Sequence, residues 1–344
     1  MYFTVRFFQQ RLSLRFNKQA LFYALMLSMS LLLLLIVSLF NGSYSLTLQN
    51  IFLNLFQQSE RVVDPQTALI IGEFRLPRSL VAIFSGALFA LSGALLQNLT
   101  RNPLADPSLM GISQGAALAV VILTILYPEY LNAWREISAF TGAILMAVII
   151  QLLRGKGNSL KLILLGIGVA AFISAIISTL LTYGNLTSTM VALSWLAGSV
   201  HETSWHDVLI LSGAFLVIAG FAFIQASIMS AISLGDEVAI GLGINLNKTL
   251  MIQLAISVGA AALATAVVGP LGFIGLLAPH LANKITRSGP ASHLLLSSLV
   301  GANLVLVADM IGRILFSPTQ IPAGLVTSLV GGPLFAYLLI KKRR

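Results

Sequence analysis

Long stretches without any charged residue are the feature that most constrains the fold of this chain. Nine runs lack Asp, Glu, Lys and Arg, at 19–59, 79–100, 107–128, 137–153, 162–201, 208–235, 249–283, 288–308 and 314–340. Each run can hold a helix of about 20 apolar residues, which is the length that crosses the hydrocarbon core of a bilayer. We therefore predict an all-α polytopic membrane protein.

The composition excludes the other broad classes of protein. Charged residues make up 9% of the chain, against about 25% in soluble domains. A disordered chain is excluded because 57% of the residues are hydrophobic. The net charge of +9 would suit nucleic acid, but basic residues of membrane proteins collect on the cytoplasmic side. We expect no nucleic-acid partner, and one transmembrane domain over residues 1–344.

The number of spans follows from the two ends of the chain. Residues 1–18 and 341–344 are both basic, so both ends are expected in the cytoplasm and the number of spans is even. Run 249–283 is interrupted at Gly269-Pro270 and is expected to hold two spans. The polar tail of run 162–201 is expected to form a short re-entrant or peripheral helix. The prediction is ten transmembrane helices, N-in and C-in.

The distribution of basic residues agrees with this topology. In the ten-span arrangement, 15 of the 20 Lys and Arg residues fall in cytoplasmic segments, as the positive-inside rule requires. They are Arg6, Arg11, Arg15, Lys18, Arg101, Arg154, Lys156, Lys161, Lys248, Lys284, Arg287, Lys341, Lys342, Arg343 and Arg344. Residues 1–18 are therefore a basic cytoplasmic segment.

The chain lacks the residues that several kinds of catalytic or metal site require. It has no Cys and four scattered His residues, so no thiolate chemistry and no bound metal are expected. Gly155-Lys156-Gly157 lacks the leading Gly and the following Ser or Thr of a nucleotide-binding P-loop. If this protein moves something actively, either a separate ATPase or an ion gradient supplies the energy.

Ionisable residues within apolar sequence are costly and therefore informative. Asp309 lies four residues before Arg313, and we expect the two to pair along one helix face; a proton relay is the alternative. A second group falls in a predicted outer loop and is interpreted as solvated, with a weak metal site as the alternative. It consists of His201, Glu202, His206 and Asp207.

Two further stretches are unusual for membrane sequence. In "RLPRSL", Arg75 and Arg78 flank Pro77 and form a predicted cationic lip, with lipid-headgroup anchoring as the alternative. In "RNPLADPSLMGISQGA", two prolines and two glycines fall where the third span begins. Non-helical backbone at membrane depth occurs only where it is buried in protein or lines a wet cavity; a plain turn is the alternative interpretation.

Five blocks of this sequence resemble the FecCD-type permeases, the membrane subunits of type II ABC importers for ferric siderophores, ferric citrate, haem and cobalamin. They are "RLPRSLVAIFSGALFALSGALLQNLTRNPLADPSLMGISQGAALA", "KLILLGIGVAAF", "LGDEVAIGLGINL", "VVGPLGFIGLLAPHLANKITRSG" and "GANLVLVADMIGRILFSPTQIPAGLVTSLVGGPLFAYLL". They occur in the family's order and cover most of residues 72–340. The string "SWLAGSVHETSWHDV" leans toward the ferric-citrate and siderophore members.

The resemblance implies the assembly and the substrate. It implies ten transmembrane helices, a second permease subunit (identical or paralogous), two ATP-binding subunits that hold ATP and Mg, and a periplasmic substrate-binding protein. The expected location is the bacterial inner membrane, and the expected substrate is a ferric chelate, with haem or cobalamin as the alternative. The permease itself is then not an enzyme.

The resemblance also implies roles for particular residues. The binding-protein docking residues are Arg75, Arg78 and Arg313. The ATPase-coupling residues, within a cytoplasmic loop at 227–248, are Ser233, Gly235, Asp236, Glu237, Gly241 and Gly243. The cytoplasmic gate residues are Asn102, Pro103, Leu104, Ala105, Asn158 and Ser159. One departure is Gln320, where the family often has Glu, and this removes one outer charge.

Two other classes of protein compete with this interpretation. An ion-coupled secondary transporter would need embedded acids near the membrane midplane or a clear inverted repeat, and Asp309 sits near the end of its span. An intramembrane enzyme would need a paired nucleophile and base, and no spacing in the sequence supports one.

Overall fold

The computed structural model describes residues 2–7, 12–41, 65–155, 159–287, 289–315 and 319–342. Most of these residues belong to α-helices, so the predicted all-α class is confirmed. The helices are α1 (Lys18–Phe40), α2 (Pro65–Leu69), α3 (Leu76–Thr100), α4 (Ile112–Leu126), α5 (Leu131–Arg154), α6 (Ser159–Tyr183), α7 (Leu186–Leu196), α8 (Trp205–Ile232), α9 (Asp236–Gly241), α10 (Leu246–Val268), α11 (Ile274–Ile285), α12 (Pro290–Ile314) and α13 (Ala323–Lys342).

A short antiparallel hairpin precedes the first helix and was not predicted from the sequence. It consists of β1 (Tyr2–Phe7) and β2 (Leu12–Asn17), with Tyr2 opposite Asn17. The Asn17 N–H donates to Ser292 Oγ over 3.3 Å, which places the end of the hairpin beside the first turn of α12. The chain is therefore helical with one added hairpin in its basic N-terminal segment.

Seven helices in the described part of the chain are long and apolar enough to cross a membrane. They are α1, the continuous helix at 70–100, α5, α6, α8, α10 and α12. Shorter apolar helices occur at 112–126, 186–196 and 323–337. A multi-pass membrane protein is therefore confirmed.

The two irregular features predicted in the long apolar runs are present. Helix α10 ends at Val268, Gly269 takes a left-handed φ of +73°, and α11 begins at Ile274. The tail of run 162–201 forms α7 as a separate helix of 11 residues, and Asn185 caps it by accepting from the Ser188 N–H over 2.8 Å.

Helix α3 lies at the centre of the molecule and packs against α12, α10, α8 and α11. Glycines allow its closest contacts. A Cβ atom added to Gly86 would lie 2.4 Å from the Gly301 carbonyl oxygen on α12, and one added to Gly93 would overlap the backbone of Gly275 on α11. Without a hydrophobic force between helices in lipid, such close backbone packing is a main source of helix association.

The two ends of α3 define the two ends of the molecule. The helix has 25 residues, which at 1.5 Å per residue makes it about 37 Å long. Arg78 lies in its first turn and Arg101 directly follows its last residue. We refer below to the Arg78 end and the Arg101 end of the bundle.

Candidate functional site

An ion pair between two helices occupies the Arg78 end. Arg78 Nη2 lies 2.7 Å from Asp309 Oδ1, and Arg78 Nε lies 3.0 Å from the same oxygen. Both side chains are buried, at 8% and 1% exposed. The expected pairing of Asp309 with Arg313 is therefore wrong. Because α3 and α12 approach so closely at their glycines, a side chain of α3 reaches Asp309.

Arg313 instead binds the first helix. Its Nη2 donates to the carbonyl oxygen of Ser38 over 2.7 Å and to Ser38 Oγ over 2.8 Å. Arg75 likewise donates from Nη1 to the Leu39 carbonyl over 2.6 Å and to the Phe40 carbonyl over 3.1 Å. The last turn of α1 thus offers its free carbonyl groups to two guanidinium groups.

The three predicted docking arginines are therefore inside the bundle. Counted over the whole residue, with the backbone included, Arg75, Arg78 and Arg313 are each between 5% and 6% exposed. Arg75 and Arg78 were predicted to form an exposed cationic lip. In the structure the three arginines form a buried hydrogen-bond network that joins α1, α3 and α12. The local sequence explains part of the backbone geometry at Arg75. Pro77 cannot donate a helical hydrogen bond, and the turn before it, Ile70–Arg75, is π-helical.

Arg78 also contacts the loop after α7 and the segment before α13. Its Nη1 lies 2.9 Å from His201 Nδ1 and 2.6 Å from Gln320 Oε1. Since a guanidinium group only donates, Nδ1 of His201 must accept and is unprotonated in this arrangement. Burial, and secondly the positive charge of Arg78, lower the pKa of His201.

An open cavity of about 540 Å³ adjoins this cluster between α4, α5 and α7. Its polar lining is richer in hydrogen-bond donors than in carboxylates. The principal polar side chains are those of Arg78, Arg135, Trp195, His201, Glu202 and Gln320. Of the three predicted docking arginines, Arg78 is the one that lines this cavity.

The Arg101 end carries the predicted coupling segment. Ser233 is the C-cap residue that follows α8, and α9 lies between Gly235 and Gly243, whose φ angles of +118° and +80° favour glycine. Asp236 forms an ion pair with Arg101, and both side chains are about half exposed.

The surface of the coupling segment is largely apolar. Leu234, Val238, Ile240 and Leu242 are between 46% and 69% exposed, whereas Ala239 between them is fully buried. We call these four exposed residues the α9 patch. Exposed Glu237 and Asp236 lie beside it. Contiguous exposed apolar side chains with a charged border are typical of protein contact sites.

Four of the six predicted gate residues, at 102–105, lie in the loop that follows α3. Asn102 organises the loop, because its Oδ1 accepts from the Leu104 N–H over 3.0 Å and its carbonyl oxygen accepts from the Ala105 N–H over 3.1 Å. Pro103 is exposed and Ala105 is buried. Ser159 begins α6 at the same end of the bundle, and Asn158 lies outside the described residues.

Sequence reasoning missed Asp106 in this loop. It is 5% exposed, and its Oδ1 accepts from the Ser108 N–H over 2.8 Å. Its position beside Gly275, close to the start of α11, shows that the loop reaches into the bundle. Burial raises the pKa of Asp106. An acid within "NPLADPSL" was the signal in the sequence.

The chain matches the model of the FecCD transport family over residues 30–341. It is 36% identical to the Fe(3+)-citrate import system permease protein YfmE of Bacillus subtilis, over 94% of this chain and 96% of that protein. It is 33% identical to the ferric enterobactin transport system permease protein FepG of Escherichia coli, over 88% and 91% of the two chains. The hemin transport system permease protein HmuU of Yersinia pestis is 39% identical, over 78% of this chain and 82% of that protein.

A solved structure shares the fold. It is a metal-chelate type ABC transporter in an inward-facing conformation, with a TM-score of 0.78 and 28% sequence identity. The match covers 93% of this chain and 99% of that one. The likeness therefore extends over nearly the whole of this chain.

Proposed function

Because the chain belongs to the FecCD transport family, we propose that it is the membrane-spanning permease subunit of an ATP-driven importer of a ferric chelate, a siderophore or ferric citrate. The observation that carries this proposal is the family match over residues 30–341. The named relatives above import ferric citrate and ferric enterobactin. The hemin permease supports haem as a second candidate substrate.

The proposed topology has ten spans. Seven are the long apolar helices, and α4, α11 and α13 are the other three. Helix α11 has 12 residues, so it is about 18 Å long. The non-helical segment 269–273 before it adds up to about 16 Å, and together they match the roughly 30 Å of hydrocarbon. Non-helical backbone at this depth is acceptable where protein buries it, and Gly269 and Leu271 are buried.

The proposed orientation places the Arg101 end in the cytoplasm of a bacterial cell, with both chain ends there. Basic residues are concentrated at that end, as the positive-inside rule expects. Those in described segments are Arg6, Arg15, Lys18, Arg101, Arg154, Lys161, Lys248, Lys284, Arg287, Lys341 and Lys342. The Arg78 end has Arg75, Arg78, Arg135 and Arg313, of which three are held within the buried network described above.

At the cytoplasmic end, the α9 patch with Asp236 and Glu237 is the proposed contact for an ATPase subunit. Exposed apolar side chains supply contact area, and the short helix between two left-handed glycines gives them a defined shape. ATP and Mg are held by two separate ATPase subunits, and rigid-body motions pass to the permease through α9. The Asn102–Ala105 loop and Asn158–Ser159 are the proposed gate, supported by their position at the same end.

At the outer end, Arg75, Arg78 and Arg313 are proposed to support docking of a substrate-binding protein. Arg75 and Arg313 support docking indirectly. They hold the ends of α1, α3 and α12 together, so that this surface is rigid. Arg78, although paired with Asp309, reaches the wall of the open cavity together with Arg135. Guanidinium groups there favour an acidic partner and speed encounter.

A second permease subunit, identical or paralogous, is proposed to complete the translocation path. Helices α1, α5 and α6 have mostly exposed apolar faces in the single chain, so they offer area for such a contact as well as for lipid. Substrate then passes between the two subunits, and no covalent bond is made or broken by this chain.

The decisive experiment reverses the charges beside the α9 patch. In the complex reconstituted into liposomes with its ATPase subunits, Asp236→Lys combined with Glu237→Lys should reduce ATP hydrolysis at least tenfold and abolish uptake of radiolabelled iron. The matched control is Glu73→Lys combined with Glu129→Lys, two exposed acids at the Arg78 end. This control should retain basal ATP hydrolysis.

Two results would contradict the proposal. Full ATP hydrolysis in the Asp236/Glu237 variant would remove α9 from the coupling role. Uptake that continues without the ATPase subunits and stops with an ionophore would instead favour the gradient-driven transporter. Competition among ferric citrate, ferric enterobactin and haem in the same vesicles identifies the substrate.

A further inference from the structure

Three metal-ligating side chains converge at the Arg78 end, apart from the Arg78–Asp309 pair. Glu136 lies in the second turn of α5, and His206 and Asp207 lie in the first turn of α8. Each offers one ligand atom, and these three atoms lie within 4.8 Å of one another. Ligand atoms around one Zn²⁺ ion are about 2.0–2.2 Å from the metal, so a small side-chain rotation brings all three into contact with a single ion.

The convergence places two carboxylates close together. Arg135 Nη2 is 3.7 Å from Glu136 Oε1, near the outer limit of an ion pair, and belongs to the same helix. Among the residues that the structure describes, no Lys or Arg forms an ion pair with Asp207. Like charges at this distance repel each other, and a bound cation would offset that repulsion.

Asp207 is held in a fixed orientation. Its Oδ2 accepts from the Ser204 N–H over 2.7 Å and from Ser204 Oγ over 3.0 Å. The first of these bonds is one half of the capping box of α8, and the other half is the bond from the Asp207 N–H to the Ser204 side chain. Hydrogen bonds of this kind orient a carboxylate ligand and lower the cost of assembling a metal site. Asp207 is buried, whereas Glu136 is partly exposed and His206 is exposed. The site thus has one rigid ligand and two that can adjust and be reached from solvent.

The donor set determines the class of ion. One imidazole nitrogen with two carboxylate oxygens suits Zn²⁺ and neighbouring divalent transition metals, whereas Mg²⁺ and Ca²⁺ prefer oxygen ligands alone. We propose that Glu136, His206 and Asp207 form a surface site for a divalent transition-metal ion, which joins the first turns of α5 and α8. The remaining coordination positions face solvent and are filled by water.

Such an ion would join two helices whose principal neighbours differ. Helix α5 packs mainly against α4 and α8 packs mainly against α3, while both also contact α10. A bound ion stabilises the folded chain because the unfolded chain does not bring Glu136 near His206. This inference does not depend on the transport proposal.

The test is a Zn²⁺ titration of the full-length permease, purified in detergent and treated with a chelator. Isothermal calorimetry should show one Zn²⁺ ion per chain, and Zn²⁺ should raise the Tm. Glu136→Gln and His206→Gln should each weaken the affinity at least tenfold and remove the rise in Tm. Asp207 is left unchanged because its replacement would also break the cap of α8.

Glu129→Gln is the matched control, since Glu129 is an exposed acid at the same end and outside the trio. It should bind Zn²⁺ as the unmodified protein does. Co²⁺ provides a second readout, because its visible absorption bands should change when His206 is replaced. Equal Zn²⁺ affinity in the unmodified protein and in both ligand variants would overturn the proposal, as would binding that is lost in the Glu129 variant alone.

Discussion

Arg78 on α3 and Asp309 on α12 form a buried two-point ion pair, with Arg78 Nη2 2.7 Å from Asp309 Oδ1. The two residues are 231 positions apart in the chain. The pair closes one end of the α3–α12 contact, and the Gly86–Gly301 contact lies between it and the other end. A directional electrostatic contact therefore supplements packing by small residues in the same helix pair.

Removing one partner of this pair should be strongly destabilising. Asp309→Asn leaves the buried Arg78 guanidinium without its counter-charge, and we expect a loss of about 3–5 kcal/mol in the free energy of unfolding. Thermal unfolding of the detergent-solubilised protein measures the loss. The double variant Arg78→Met with Asp309→Leu should recover much of it, because no uncompensated charge remains. A double variant less stable than Asp309→Asn would contradict this account.

The glycine contact between α3 and α12 gives a second prediction. Gly86→Ala places a Cβ atom 2.4 Å from the Gly301 carbonyl oxygen, so the backbones must separate, at a cost of about 1–3 kcal/mol. Gly213→Ala on α8 is the control, since a Cβ atom there meets no atom within 4 Å. It should be neutral or slightly stabilising, because Ala favours a helix more than Gly does. Equal Tm values for the two variants would argue against the close contact.

His201 should make stability depend on pH. Burial and the charge of Arg78 lower its pKa in the folded chain, while Glu202 and Asp309 oppose the shift to a lesser extent. The unfolded chain therefore takes up a proton at higher pH, near pH 6.5. This contribution to stability is complete above that pH and is lost as the pH falls below it. The Tm should decrease over that range, and His201→Gln should reduce the slope.

The Arg101–Asp236 pair should behave differently from the Arg78–Asp309 pair. Its side chains are 52% and 57% exposed, so solvent screens the interaction and its loss costs about 0.2–1 kcal/mol. We expect Asp236→Asn to leave the Tm nearly unchanged while it lowers ATP hydrolysis in the reconstituted complex. A large fall in Tm would mean that the residue stabilises the fold rather than the contact with the ATPase subunit.

Local features of the sequence predicted much of the fold. Charge-free runs predicted the helices, and Gly269-Pro270 predicted the break between α10 and α11 because this dipeptide ends a helix. The polar end of the charge-free run 162–201, which begins at Asn185, predicted the separate short helix α7. The hairpin formed by β1 and β2 was missed. The basic charges of this segment predicted only that it lies in the cytoplasm, and no secondary structure was predicted for it.

The candidate site was predicted less completely, for a physical reason. Asp309 and Arg313 are four residues apart, and helical spacing identifies only partners on the same helix. The partner found in the structure, Arg78, depends on how closely α3 and α12 pack. Burial of Arg75 has the same origin, since its acceptors are main-chain carbonyl groups of α1 that carry no sequence signature. Glu136 and His206, about 70 residues apart, are likewise brought together only by the packed helices.

The uneven burial of the spanning helices has a consequence for how this chain tolerates change. Helix α3 is mostly enclosed by protein, whereas α1 and α6 are mostly exposed around their apolar surfaces. On α1 and α6, exchange of one aliphatic side chain for another alters little beyond the boundary with lipid or a second subunit. On α3, most side chains are buried against several other helices. Random mutagenesis should therefore yield few functional substitutions in α3 and many in α1 and α6, a contrast that mean hydropathy alone does not reveal.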